Sequence, residues 1–261
     1  MVRRPWDVEC PDAPVRLFCL PWAGGSAVTY RRGWPQALAP DVDVHAVELP
    51  GRGAEFGEPL LRRVEPLLDV LMTRIVPLVD RPYAVFGHSM GSMLGLELTR
   101  RLVAAGLPEP IRMFVSGSGM PGRRPRTEGS PLHELPENEF REWLRKTGGT
   151  PAEVFRNPEL LDLVSPLLRA DFELCDAYRH RPAPPFGCPV TAIGGDDDPY
   201  VPVAALAEWA EITTGPFDRL VLTGGHFAFQ EHLDRVHAFV AAALRTAVRG
   251  LAPAPAAGPA A

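Results

Sequence analysis

The sequence is poor in several features, and each shortage removes a class of protein. It has a single lysine, Lys146, among 27 basic residues, and a formal net charge of −5 with a pI near 5.8. Nucleic-acid binders carry a basic stripe that releases counterions along the phosphates, so no nucleic-acid partner is expected. No apolar run approaches the roughly 18 residues of a membrane span. The start, Met1-Val2-Arg3-Arg4-Pro5-Trp6-Asp7-Val8-Glu9, has acidic residues where a secretory leader needs its apolar stretch. Neither membrane insertion nor export is expected. Cysteine is scarce: Cys10, Cys19, Cys175 and Cys188 show no Cys-x-x-Cys spacing and read as buried free thiols, which fits a cytoplasmic protein. No His, Cys, Asp or Glu cluster has metal-ligand spacing, so neither metal nor cofactor is expected.

What is present is enough for one large core: 261 residues, 46% hydrophobic and 23% charged. Short β-rich runs begin at Val15–Leu20 and Val42–Val47 and continue with Tyr83–Phe86, Ile111–Val115, Pro189–Ile193 and Asp218–Leu222. Amphipathic segments alternate with them, at Val64–Val79, Gly91–Ala105, Val203–Thr213 and Glu231–Val248. Alternation of this kind predicts an α/β fold, a mostly parallel central sheet with helices on both faces. Residues 117–187 break the rhythm. They hold Pro-rich turns and helical pieces (Glu137–Lys146, Pro158–Phe172) but no convincing strand, and are expected to form a helical insertion capping the sheet within a single domain of residues 1–249. The Pro/Ala-rich residues 250–261 cannot bury a face and are expected to be a mobile tail.

The chemistry centres on Gly87-His88-Ser89-Met90-Gly91, which follows the strand at Tyr83–Phe86 and opens a helical run. A serine can sit on so sharp a strand-to-helix turn only if the residues two before and two after it lack side chains. A glycine-rich nucleotide-binding turn is the bland alternative, but the Gly-x-Gly-x-x-Gly spacing is missing. A serine hydroxyl is a weak nucleophile near neutral pH, so Ser89 needs a histidine base and an acid to orient it, in the chain order Ser, Asp, His. His226, in Thr223-Gly224-Gly225-His226-Phe227 after the last predicted strand, fits best among the seven histidines. The acid is sought in Gly194-Gly195-Asp196-Asp197-Asp198-Pro199-Tyr200-Val201-Pro202. Asp198 is preferred because the prolines around it fix the carboxylate direction; Asp197 is the alternative. The aspartates not so used are expected to be a solvated turn or a helix cap. Backbone donors for a tetrahedral oxyanion are expected from Met90 and from Ala23 in Pro21-Trp22-Ala23-Gly24-Gly25-Ser26. In the insertion, Phe140, Trp143, Leu144, Phe155 and Leu160 are candidates to line a cavity, or simply to pack. Arg123, Arg124 and Arg126 are candidates to meet an acidic partner or a phosphate, or are a solvated loop.

With these residues placed, the chain from about Arg16 to Phe229 resembles the type II (editing) thioesterases of polyketide synthase and nonribosomal peptide synthetase pathways. The resemblance rests on Pro21–Ser26, Glu48-Leu49-Pro50-Gly51-Arg52-Gly53, Gly87–Gly91, Gly148-Gly149-Thr150-Pro151, Leu168-Arg169-Ala170-Asp171-Phe172, Gly194–Pro202 and Gly224–Phe227. It implies an α/β-hydrolase with a helical lid that cleaves acyl groups from the phosphopantetheine arm of acyl or peptidyl carrier proteins. Composition and spacing alone stop at a serine hydrolase. A carboxylesterase or medium-chain fatty-acyl thioesterase shares the same residues, and a catalytically idle α/β-hydrolase acting as a binding module is the alternative of another class.

Overall fold

Continuous apolar runs suit strands covered on both faces, and those of this chain pair with one another in parallel. The computed structural model describes residues 10–31, 33–123 and 131–251. Among these, six strands, β1 (Val15–Leu20), β2 (Val42–Ala46), β3 (Tyr83–His88), β4 (Arg112–Ser116), β5 (Val190–Gly195) and β6 (Phe217–Leu222), form one parallel sheet in the order β2-β1-β3-β4-β5-β6. Successive residues of a strand point to opposite faces, and the core divides accordingly. Leu17, Cys19, Ala84 and Phe86 pack on one side with α1 (Trp34–Leu38) and α8 (Leu233–Leu251). Phe18, Leu20, Tyr83 and Val85 pack on the other with α2 (Val64–Ile75) and α3 (Met90–Ala104). The chain leaves β1 toward β2 on one side and returns to β3 on the other. Loops after β1 and β3 therefore diverge and open a crevice at the carboxyl edge, where open α/β sheets bind their ligands.

The described residues between β4 and β5 supply no strand to the sheet; they include α4 (Glu137–Thr147), α5 (Ala152–Arg156) and α6 (Pro158–Ala177). The last starts where Asn157 accepts hydrogen bonds from the N–H groups of Glu159 and Leu160, with Pro158 in its first turn. Phe140, Leu144 and Leu168 give the insertion a small core of its own.

Two helices differ from expectation. Val203–Ile212 is a 3-10 helix; its buried Leu206, Trp209 and Ile212 recur every third residue, the period that winding presents on one face. The run from Glu231 is broken at His232, whose ring bonds to the Thr223 carbonyl (2.9 Å), so a short α7 (Ala228–Glu231) precedes α8. No disulfide links the cysteines: Cys19 and Cys188 are buried as expected, whereas Cys10 and Cys175 are only half-buried. No helix among the described residues is long and apolar enough to cross a membrane. The expected tail lies outside the described residues from residue 252 onward, as do Arg124 and Arg126.

Candidate active site

Ser89 is the one described residue other than glycine with a positive φ (53°), and the glycines two residues on either side of it are what permit the turn. A Cβ on Gly87 would lie 2.2 Å from the Gly91 carbonyl oxygen; one on Gly91 would lie 2.3 Å from that of Leu20. Strand β3, the turn and the loop after β1 are thus packed backbone to backbone. Ser92, which the sequence reading passed over, fastens the same turn: its hydroxyl engages the carbonyls of Gly87 (2.8 Å) and Ser116 (3.0 Å) and the Ser116 N–H (3.0 Å). Its only signal was its place three residues after Ser89.

The loops after β5 and β6 carry the other two residues. A Cβ on Gly195 would lie 2.2 Å from the Gly224 carbonyl oxygen, so these loops touch through main chain as well. That contact brings His226 Nδ1 to 2.8 Å from Asp198 Oδ2 and His226 Nε2 to 3.2 Å from Ser89 Oγ. A carboxylate can only accept, so Nδ1 carries the proton and Nε2 is left to accept from the serine hydroxyl. Asp198 is buried, and its other oxygen accepts from the N–H groups of Tyr200 (2.8 Å) and Val201 (3.1 Å), which lock its direction. Asp197, the alternative, is exposed and takes no part in this chain of bonds. Asp196 is not merely solvated: it accepts from Gly224 N–H (2.9 Å) and ties the aspartate loop to the histidine loop rather than capping a helix.

Met90 is the first residue of α3, so its N–H has no intrahelical acceptor. No described residue accepts from Ala23 N–H either. Both residues border Ser89 in the cavities that open on it. His88, the variable position of the turn, is fully buried against Trp22, Phe227 and Phe229. Burial, reinforced by the nearby His226, holds its imidazole well below the ordinary histidine range and hence neutral.

Ser89 lies where two cavities meet. One, of about 350 Å³, is walled by Trp22, Trp143, Leu144, Leu168, Phe172 and Phe227. The other, of about 610 Å³, is more polar and reaches Met93, Asp176, Tyr178, Arg179 and His180. Of the five insertion residues proposed for the first cavity, only Trp143 and Leu144 line it. Phe140 fills the core of the insertion, Phe155 packs beside it under the Arg145 guanidinium, and Leu160 is 41% exposed. Arg123 is exposed and paired with Glu211. No group of three or more His, Cys, Asp or Glu among the described residues is arranged to hold a metal.

A family model described as a thioesterase domain matches residues 15–244. The chain belongs to the thioesterase family. It is a thioester hydrolase of the serine-hydrolase type, with the α/β-hydrolase fold of its structural relatives. The type II thioesterase BorB from the borrelidin biosynthetic cluster is 36% identical, with a TM-score of 0.80 over 92% of this chain and 94% of that one. ClbQ, from the colibactin NRPS/PKS pathway, is 30% identical with a TM-score of 0.85 over 90% and 98%. The medium-chain S-acyl fatty acid synthase thioesterase of Rattus norvegicus is 33% identical over 83% of this chain and 82% of its own. This thioesterase is thus similar to members that serve biosynthetic clusters and to one that serves a fatty acid synthase.

Proposed function

We propose that this thioesterase is an editing enzyme that removes aberrant or stalled acyl groups from the phosphopantetheine arm of acyl or peptidyl carrier proteins in a polyketide or nonribosomal peptide pathway. The observation that carries the reading is the position of Ser89 between two cavities of different character, because a carrier-bound thioester has two limbs. The apolar limb suits the acyl group, and the polar one suits an arm bearing amides. Likeness to BorB and ClbQ supports the pathway class.

In this reading His226 Nε2 takes the Ser89 proton as Oγ attacks the acyl carbon, and Asp198 holds the imidazole in the required tautomer and steadies its charge. Ala23 and Met90 N–H groups receive the oxyanion. Collapse of the intermediate breaks the carbon–sulfur bond, and the imidazolium returns its proton to the departing sulfur. The resulting ester on Ser89 is then attacked by a water that gives its proton to His226; as the ester bond breaks, His226 returns that proton to Ser89 Oγ and the free acid departs. The insertion acts as a lid that keeps bulk water from the acyl-enzyme.

Matched acetyl, propionyl and butyryl groups on a carrier protein and on N-acetylcysteamine test the proposal. Higher kcat/KM on the carrier with little discrimination among the acyl groups is expected. The similarity to the rat enzyme favours a second reading, a medium-chain fatty-acyl thioesterase. Equal efficiency on the two thiols, or sharp selection for one longer chain, supports that reading instead.

A further inference from the structure

Helix α6 of the insertion carries a carboxylate that reaches out of the insertion and into the loop after β1. Asp171 is 1% exposed and accepts from Gly24 N–H (2.7 Å). Arg52, 5% exposed, grips the same carboxylate with both terminal nitrogens (2.6 and 2.8 Å) and also donates to the Gly25 carbonyl (3.3 Å). One turn earlier on α6, Leu168 closes on the loop from the same side: a Cβ on Gly24, whose φ is +79°, would lie 2.3 Å from Leu168 Cδ2. The far end of the loop is held separately, by Glu48 accepting from Ala27 N–H (3.1 Å). Immediately before the first of these anchors lies Ala23, whose own N–H has no protein acceptor among the described residues.

A bidentate arginine–carboxylate pair is directional as well as strong. Taking two charges out of water rarely adds stability over well-packed apolar residues of similar size. A fold in need only of packing between α6 and the sheet has no use for this pair. The peptide that links Ala23 to Gly24, by contrast, cannot rotate without breaking the Gly24–Asp171 bond. The adjoining Trp22–Ala23 peptide, which carries the Ala23 N–H, is held at its carbonyl by Gly25 N–H (2.9 Å), and Gly25 is in turn gripped at its own carbonyl by Arg52.

We infer that Asp171, clamped by Arg52, is a positioning residue that aims the Ala23 N–H at the oxyanion, so that the insertion completes the site instead of merely covering it. This rests on the assignment of Ser89 as nucleophile and of Ala23 as oxyanion donor. Neither residue of the pair lines the cavities that open on Ser89; the effect passes through Gly24 and Gly25.

The full-length enzyme is assayed with the butyryl thioester of N-acetylcysteamine and with an alkyl trifluoromethyl ketone, whose serine adduct places an alkoxide in the oxyanion position. Asp171→Leu, which leaves the Gly24 N–H without its acceptor, lowers kcat by on the order of 10–100-fold, short of the 10²–10³ lost when a donor is deleted outright, with KM within about 3-fold, and weakens ketone binding in parallel. Arg52→Lys, which keeps the charge but loses the fork, gives a smaller loss of the same kind. The double variant Arg52→Met/Asp171→Leu removes both buried charges and melts near the wild-type temperature while kcat stays low, because Gly24 has lost its acceptor. Recovery of wild-type kcat in the double variant overturns the inference and leaves a structural ion pair. So does unchanged ketone affinity in a folded Asp171→Leu or Arg52→Lys variant. Failure of the wild type itself to form the ketone adduct overturns the serine-nucleophile reading, and this inference with it.

Discussion

The loops at the carboxyl edge of the sheet and the insertion above them are held by opposite means. The loops touch through main chain: Gly87 against Gly91, Gly91 against Leu20, Gly195 against Gly224, all at separations that leave no room for a Cβ. The insertion meets them through side chains at a few points, among them Asp171, Leu168, and Thr147, whose hydroxyl is 3.1 Å from that of Tyr200. Main-chain contact sets distances that no rotamer change can alter, which is what a relay of three side chains requires. Side-chain contact is adjustable, which suits the wall of a cavity proposed to accept different acyl groups. The chemistry should therefore be brittle at the loops and, Asp171 apart, forgiving at the insertion.

The comparison is tested hardest at Ser89. Ser89→Ala is expected to lower kcat by on the order of 10⁵–10⁶-fold with no loss of thermal stability, since the change removes one oxygen and no packing; near wild-type turnover would remove the nucleophile assignment. Next comes the acid. Asp198→Asn should cost on the order of 10⁴-fold in kcat by favouring the wrong imidazole tautomer, whereas Asp196→Asn, whose amide oxygen can still accept from Gly224, should cost less than about 3-fold. A crippling Asp196 variant would mean that the link between the two loops, and not the relay alone, limits the rate.

At the insertion a smaller and different effect is expected. Gly149 has φ of +81°, and a Cβ there would lie 2.3 Å from Phe227 Cζ. Gly149→Ala should raise KM several-fold and lower stability by roughly 1–3 kcal/mol, leaving kcat within about 3-fold. A collapse of kcat would show that the cavity wall and the relay are not separable at this point.

The smallest effect is one of pH. Burial lowers the pKa of both His88 and His237 below the ordinary histidine value. Their depressed folded-state pKa values mean that the unfolded chain takes up protons first as pH falls through about 6.5. Stability should then decline from about pH 7 toward pH 5, by at most about 1.4 kcal/mol per pH unit for each histidine. His237 meets Trp34 edge to face, away from the Ser89 cavities, and its Nε2 is buried without a partner among the described residues. His237→Phe should flatten the acid limb of a melting-temperature profile without altering turnover; an unchanged slope would remove His237 from the account.

Much of this was legible in the residues. Apolar runs that alternate with amphipathic ones become strands and helices wherever burial on both faces leaves no other choice, and a serine flanked by glycines at two residues' distance has a steric meaning that survives without coordinates. Other features had no local signature. Asp171 and Arg52 are 119 positions apart, and neither has a neighbour that announces its partner. The apolar stripe of α4 has the same appearance whether a residue fills the insertion's own core, as Phe140 does, or faces the cavity, as Trp143 does. Val203–Ile212 has a three-residue period that a helical reading at 3.6 absorbs without complaint.

The position of Asp171 also bears on how such enzymes are recombined. A segment exchanged between β4 and β5 to change acyl preference brings its own α6, and with it whatever residue will stand opposite Gly24. A chimera with a well-shaped pocket but no carboxylate there, or with one and no arginine at position 52 to receive it, would bind substrate and turn it over slowly. The unit to transplant is the insertion together with the Glu48–Gly53 loop, two pieces far apart in the gene that behave as one part.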